Sequence, residues 1–91
     1  MAQLQQGNLY GTVTDPKGAA LPGVTVTLNG GQQELTNAQG QFKYLGLSPG
    51  TYTVKCVLEG FSTIDYPNIV INTGRNTQID IIMKPVVETQ K

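Results

Sequence analysis

An all-β sandwich of seven strands is the fold class this sequence predicts, and three observations carry the prediction. Short runs of alternating apolar and polar residues recur along the chain. Turn signals built from Gly, Pro, Asn and Asp separate them at intervals of roughly ten residues, the spacing of small β-domains. Long helix-forming runs of Ala, Leu, Glu and Lys are missing, whereas Thr and Val, which suit pleated half-buried positions, are abundant.

The first strand is expected from Gly7 to Thr14, with Leu9, Gly11 and Val13 on one face and Tyr10, Thr12 and Thr14 on the other. Gly11 in mid-strand fits the close approach of an aromatic ring or a bulge. Asp15-Pro16-Lys17-Gly18 reads as a turn, because Asp caps, Pro presets φ and Gly closes. Leu21-Pro22-Gly23 bends the chain into Val24–Asn29, where Val24, Val26 and Leu28 point inward. Asn29-Gly30-Gly31 is a hairpin signal, and a short strand over Gln33–Thr36 follows. Asn37-Ala38-Gln39-Gly40 turns the chain into Gln41–Tyr44, with Phe42 and Tyr44 on one face.

Ser48-Pro49-Gly50 fits a type II turn. The clearest strand comes next, Thr51–Glu59, with Tyr52, Val54, Cys56 and Leu58 sharing a face. Phe61–Asp65 is expected to continue extended until Tyr66-Pro67 interrupts the ladder, since Pro has no N–H to give. Ile69 and Ile71 then return to the core. Asn72-Thr73-Gly74-Arg75 turns into Asn76–Lys84, with Ile79, Ile81 and Met83 inward. Val57, Val70 and Ile82 are left pointing outward, either as a small apolar patch or, as we favour, as scattered surface residues.

Ninety-one residues make one domain, with residues 7–84 as the sandwich, 1–6 as a disordered leader and 85–91 as a tail or linker. Met1-Ala2-Gln3 fits a start placed just after a removed export signal, or equally a natural N-terminus. Cys56 stands alone and there is no His, so neither a disulfide framework nor a zinc site is expected, and no cofactor is. Six basic and six acidic residues cancel, and the basic ones are scattered, which argues against nucleic acid as partner. No run of about 18 apolar residues is present to span a bilayer as a helix.

No catalytic constellation emerges. The carboxylates Asp15, Glu34, Glu59, Asp65, Asp80 and Glu88 fall in turns, on outward positions or in the tail. Cys56 lies on an apolar face with no His to activate it, so a buried core thiol is expected. Gly30-Gly31 has no following Lys-Ser/Thr and is no phosphate loop. An internal Lys–Asn isopeptide bond needs a Lys on the first strand, and Gly7–Thr14 has none. By alternation Tyr44 and Tyr52 are internal. Tyr10 and Tyr66 are the aromatic residues expected at the surface, and they are the candidate surface-binding residues for carbohydrate.

The pattern from Gly11-Thr12-Val13-Thr14-Asp15 through Gly18, Leu21-Pro22-Gly23-Val24, Val26, Leu28, Thr36, Gly40, Phe42, Leu47, Pro49-Gly50-Thr51-Tyr52 and Gly60-Phe61 resembles the carboxypeptidase regulatory-like family. It covers about residues 7–84. The resemblance implies a transthyretin-like (prealbumin-like) seven-strand Greek-key β-sandwich, and it is a signature of fold, since its residues are turn glycines and buried aromatics.

The resemblance also implies an accessory or interaction role beside other domains. Family members follow catalytic domains in some metallocarboxypeptidases, occur as repeated surface modules, and extend the N-termini of TonB-dependent outer-membrane receptors. Val86-Val87-Glu88-Thr89 resembles the start of the segment that follows the domain in such receptors. The expected function is therefore a non-enzymatic envelope module, on the periplasmic side of the outer membrane or extracellular, that contacts protein partners or neighbouring domains. The alternatives are a carbohydrate- or matrix-binding adhesion module, the accessory domain of a secreted peptidase, and a transthyretin-type small-ligand carrier.

Overall fold

Two-residue alternation dictates where a strand turns its side chains, and the computed structural model, which describes residues 6–86, contains seven strands that follow it. They are β1 (Gly7–Thr14), β2 (Thr25–Leu28), β3 (Gln32–Leu35), β4 (Gln41–Leu47), β5 (Gly50–Val57), β6 (Ile64–Ile71) and β7 (Asn76–Ile82). A three-stranded sheet, β4-β1-β7, faces a four-stranded sheet, β3-β2-β5-β6. All neighbours run antiparallel except β1 and β7, which pair in parallel from Asn8↔Asn76 to Thr14↔Ile82. The seven-strand sandwich expected from the sequence is the observed fold.

The inward residues of both sheets meet in one core. Leu9, Val13, Val26, Val54, Cys56, Ile71 and Ile81 are fully buried, and Phe42, Tyr44 and Ile79 nearly so. Burying this much apolar surface is the main stabilising term, at roughly 25 cal/mol per Å². Gly11 is also buried, and its β4 partner is Phe42. A Cβ on Gly11 would lie 2.0 Å from Phe42 Cζ, so the mid-strand glycine makes room for an aromatic ring.

Two strands run further than the sequence suggests, each through a bulge. β4 continues past Tyr44 because an extra residue is accommodated at Leu45–Gly46, where Gly46 takes φ 70°. Asn8 Oδ1 accepts from Gly46 N at 3.0 Å, and Asn8 Nδ2 donates to Asn76 Oδ1 at 2.9 Å, tying the bulge to β7. Leu45 is thereby turned outward and Leu47 inward.

β6 is likewise one strand, so Tyr66-Pro67 does not end the ladder as expected. The extra residue between Tyr52↔Ile69 and Val54↔Tyr66 falls at Pro67–Asn68, and Asn68 adopts φ 62°. Pro67 is tolerated because β6 is an edge strand, where a missing N–H breaks no second ladder. Of the stretch expected to be extended from Phe61 to Asp65, Ile64 and Asp65 already belong to β6, and a turn leads into it. Phe61 N donates to Leu58 O at 3.0 Å in a turn, and Phe61 forms an isolated bridge with Pro85. Val86 N donates to Gly60 O at 2.9 Å, so chain pairing persists two residues beyond Lys84.

Val57, Val70 and Ile82 are exposed but do not form a patch. Val57 and Val70 sit at opposite ends of the four-stranded sheet, since Val70 pairs with Thr51, about 20 Å along β5 from Val57. Ile82 pairs with Thr14 in the other sheet.

Thr36 is the one buried polar residue among those described. Its Oγ1 accepts from Val24 N at 2.9 Å and donates to Leu21 O at 2.7 Å. Its backbone accepts from Gly23 N at 3.0 Å and donates to Val24 O at 3.1 Å. One residue thus holds the whole Leu21–Val24 bend against the end of β3. Thr36→Val keeps the shape but leaves a buried donor and a buried acceptor unpaired. Urea unfolding is expected to register a loss of about 1–3 kcal/mol, whereas Thr36→Ser, which keeps the hydroxyl, should lose clearly less. A larger loss for Thr36→Ser than for Thr36→Val would show that the methyl group, not the hydroxyl, matters there.

Candidate functional site

The outer face of the three-stranded sheet carries a concavity. Strand parity places Tyr10 and Thr12 of β1, Gln41 and Lys43 of β4, and Gln78 and Asp80 of β7 on this face. Register then sets them in rows. Lys43, Tyr10 and Gln78 lie side by side across the sheet, and Gln41, Thr12 and Asp80 form the next row. Glu34, Leu35 and Asn37, from β3 and the turn after it, complete a groove of about 450 Å³. Gln78 Nε2 donates to Ile79 O at 3.1 Å and lies 3.4 Å from Asp80 Oδ1 and 3.5 Å from Thr12 Oγ1, which fixes its carboxamide within the face.

The two tyrosines singled out from the sequence do not share a surface. Tyr10 is half-buried at the centre of the groove. Tyr66 lies on β6, in the other sheet, opposite the buried Val54, and packs against the core. Tyr52 is half-buried rather than internal. Its hydroxyl donates to Ser48 O, and it borders a second groove of about 330 Å³ with Leu28, Asn29 and Gln32. Thr12, Gln41, Lys43 and Gln78 escaped the sequence reading. Their outward parity was visible, but the register of β1 against β7 joins residues 68 positions apart and has no local signal.

The groups with perturbed acidity are structural. Tyr44 reaches from β4 across the core, and its hydroxyl lies 2.9 Å from both Val26 O and Gln32 O, so its single proton is shared between two carbonyls of the opposite sheet. Burial, then the nearby Glu34 and Cys56, pushes the phenol up to about 12. Burial, then Asp65, pushes the Cys56 thiol up to about 12. Cys56 is therefore the buried, protonated core thiol expected. Among the described residues no three His, Cys, Asp or Glu side chains converge.

Both raised values have one sign for stability. The unfolded chain loses these protons near the ordinary values of 9.0 and 10.0, while the folded chain keeps them to about 12. The unfolded state then binds fewer protons, so stability is full below pH 9 and falls as pH rises toward 12. Urea midpoints at pH 8 and pH 11 should differ in that direction, and Cys56 should resist a thiol reagent in the folded chain. An unchanged midpoint would mean that neither group is protected by the fold.

The sheets also leave edges. β3 and β6 bound the four-stranded sheet, and β3 is exposed at all four residues. Thr36 N donates to Val24 O, which marks that pair as hydrogen-bonded. Alternation along an antiparallel ladder then turns the backbone N–H and C=O groups of Gln33 and Leu35 away from β2, toward the open edge.

Comparison with known proteins adds the following. A family model described as carboxypeptidase regulatory-like domain matches residues 8–84. Human carboxypeptidase D is 30% identical over 70 residues, which is 77% of this chain and 5% of that protein. In structure the chain is similar to the Bacillus anthracis TIE protein (TM-score 0.75, 22% identity, 90% of this chain and 17% of that one). It is also similar to GBS52, the minor pilin of Streptococcus agalactiae (TM-score 0.73, 17% identity, 97% and 48%). A type II cohesin–X–dockerin complex of Acetivibrio cellulolyticus gives TM-score 0.70 at 20% identity over 93% and 64%. The chain thus spans a small part of the curated relative and less than two thirds of each of these structures.

Proposed function

Since this chain belongs to the carboxypeptidase regulatory-like domain family, we propose that it is a non-catalytic accessory and interaction module of a larger cell-envelope protein. The observation that carries this is the open β3 edge. Gln33 and Leu35 offer unpaired backbone groups, and the exposed Leu35 side chain beside them gives an incoming strand an apolar anchor. Behind this edge the sheets close over one packed core, so a docked strand would fix the spacing of neighbouring parts. Likeness of fold to a minor pilin and to a cohesin–X–dockerin complex supports a surface or extracellular interaction role. No helix among the described residues is long and apolar enough to cross a membrane.

The finer placement we favour is the periplasmic N-terminal extension of a TonB-dependent outer-membrane receptor. Its support is the family and the Val86–Thr89 phrase, of which residues 87–89 lie outside the described residues. The alternative is an accessory domain of a secreted peptidase, which the likeness to human carboxypeptidase D favours. The gene around these codons decides between them. A plug and a series of alternating strands of about ten residues downstream would support the receptor reading. A peptidase domain alongside would replace it, and a gene with no other domain would sink both.

A further inference from the structure

The groove over β4-β1-β7 has a chemistry that the edge-docking role does not use. Its floor is the ring of Tyr10, held at the centre of the sheet because β1 is paired on both sides. Around it stand Thr12, Gln41 and Gln78, uncharged side chains that between them both donate and accept hydrogen bonds. The Gln78 amide nitrogen is engaged by its neighbours, which leaves Oε1 as an acceptor. Glu34 and Lys43 in its lining carry opposite charges.

We propose that this groove is a binding site for an uncharged oligosaccharide, with a sugar ring stacked on Tyr10 and its hydroxyls bonded to Thr12, Gln41 and Gln78. A flat aromatic face ringed by mixed donors and acceptors matches a sugar, which presents an apolar C–H face and a rim of hydroxyls. Other ligand classes fit less well. A peptide strand would find free backbone partners at the β3 edge and not on this floor, where β1 is bonded on both sides. A nucleic acid would meet one lysine and two carboxylates, Glu34 and Asp80. Tyr66, in the other sheet, takes no part.

The test is a titration of the isotope-labelled 91-residue chain with cellohexaose, mannohexaose, maltohexaose and chitohexaose, each to about 10 mM, followed by amide chemical shifts. At least one should shift the amides of Tyr10, Thr12, Gln41 and Gln78. Tyr10→Ala should weaken that sugar about tenfold or more, whereas Thr53→Ala, on the outer face of the other sheet, should not. Gln78→Ala serves as the second variant should loss of the Tyr10 ring unfold the chain, and it too should weaken binding. Silence from all four sugars, shifts that map elsewhere, or binding unchanged in these groove variants would overturn the proposal. Edge docking would stand in each of those cases.

Discussion

Gly11→Ala is expected to destabilise the fold by about 3 kcal/mol or more, at the upper end for overpacking a core. The new methyl would sit 2.0 Å from Phe42 Cζ and 2.2 Å from Cε2. Neither side can yield cheaply. β1 is bonded to β4 and β7 over its length, so its backbone cannot retreat. Phe42 is buried and packs edge-on against Tyr44, with ring centroids 6.0 Å apart. Because the clash is between two named groups, it should be strongly non-additive. Gly11→Ala with Phe42→Leu should cost less than the sum of the single changes, a coupling that urea unfolding of all four proteins measures. Additive costs would mean that the ring is not what excludes the methyl.

Gly40→Ala should be comparably severe, for two combined reasons. Gly40 adopts φ 73°, which costs an L-residue about 1–2 kcal/mol. Its Cβ would also lie 2.5 Å from Val13 O and 3.0 Å from Leu21 N. The turn it closes is docked on β1, since Val13 N donates to Gly40 O at 2.7 Å. A built-in control lies in the turn after β1. Asp15–Ala19 and Asn37–Gln41 are the same device, in which the Asx Oδ1 accepts from the amides two and four residues on and a glycine follows at the third place. Gly18 has φ 88° but nothing within 4 Å of a Cβ. Gly18→Ala should therefore cost only the backbone share, about 1 kcal/mol, and thermal melts of the two variants should differ by many degrees. Similar melts would show that position 40 is conformational only, with no steric component.

These two glycines also mark what sequence can and cannot convey. Turn chemistry is local, so Asp15–Gly18 and Asn37–Gly40 were legible from residue types three apart. Alternation is local too, which is why the inward faces of β1, β2, β4 and β7 were read correctly. Gly11 was legible as a site of close approach, but its partner Phe42 is 31 residues away and only the register names it. Bulges escaped because they depend on the neighbour strand. Leu45–Gly46 looks like a strand end until Asn8 and Asn76 are seen to hold it. Pro67 looked like a break until β6 proved to be an edge. Thr36 is legible only as the end of a short strand and a place in the family pattern, and only the return of the Leu21–Val24 bend makes it a buried anchor. The groove is the extreme case, a row from three strands whose members span Tyr10 to Gln78.

The parallel pairing of β1 with β7 has a bearing on load. Two parallel neighbours begin at the same end of a sheet, so the chain enters β1 at one end of the sandwich and leaves β7 at the other. Tension transmitted along the polypeptide would pull these strands lengthwise past each other. All seven registered pairs, from Asn8↔Asn76 to Thr14↔Ile82, would resist together, where a peeled hairpin would surrender them one at a time. Rupture under force is governed by the unfolding barrier rather than by equilibrium stability. A domain of this size, with no disulfide among its described residues, is thereby wired to hold against a pull along its own axis.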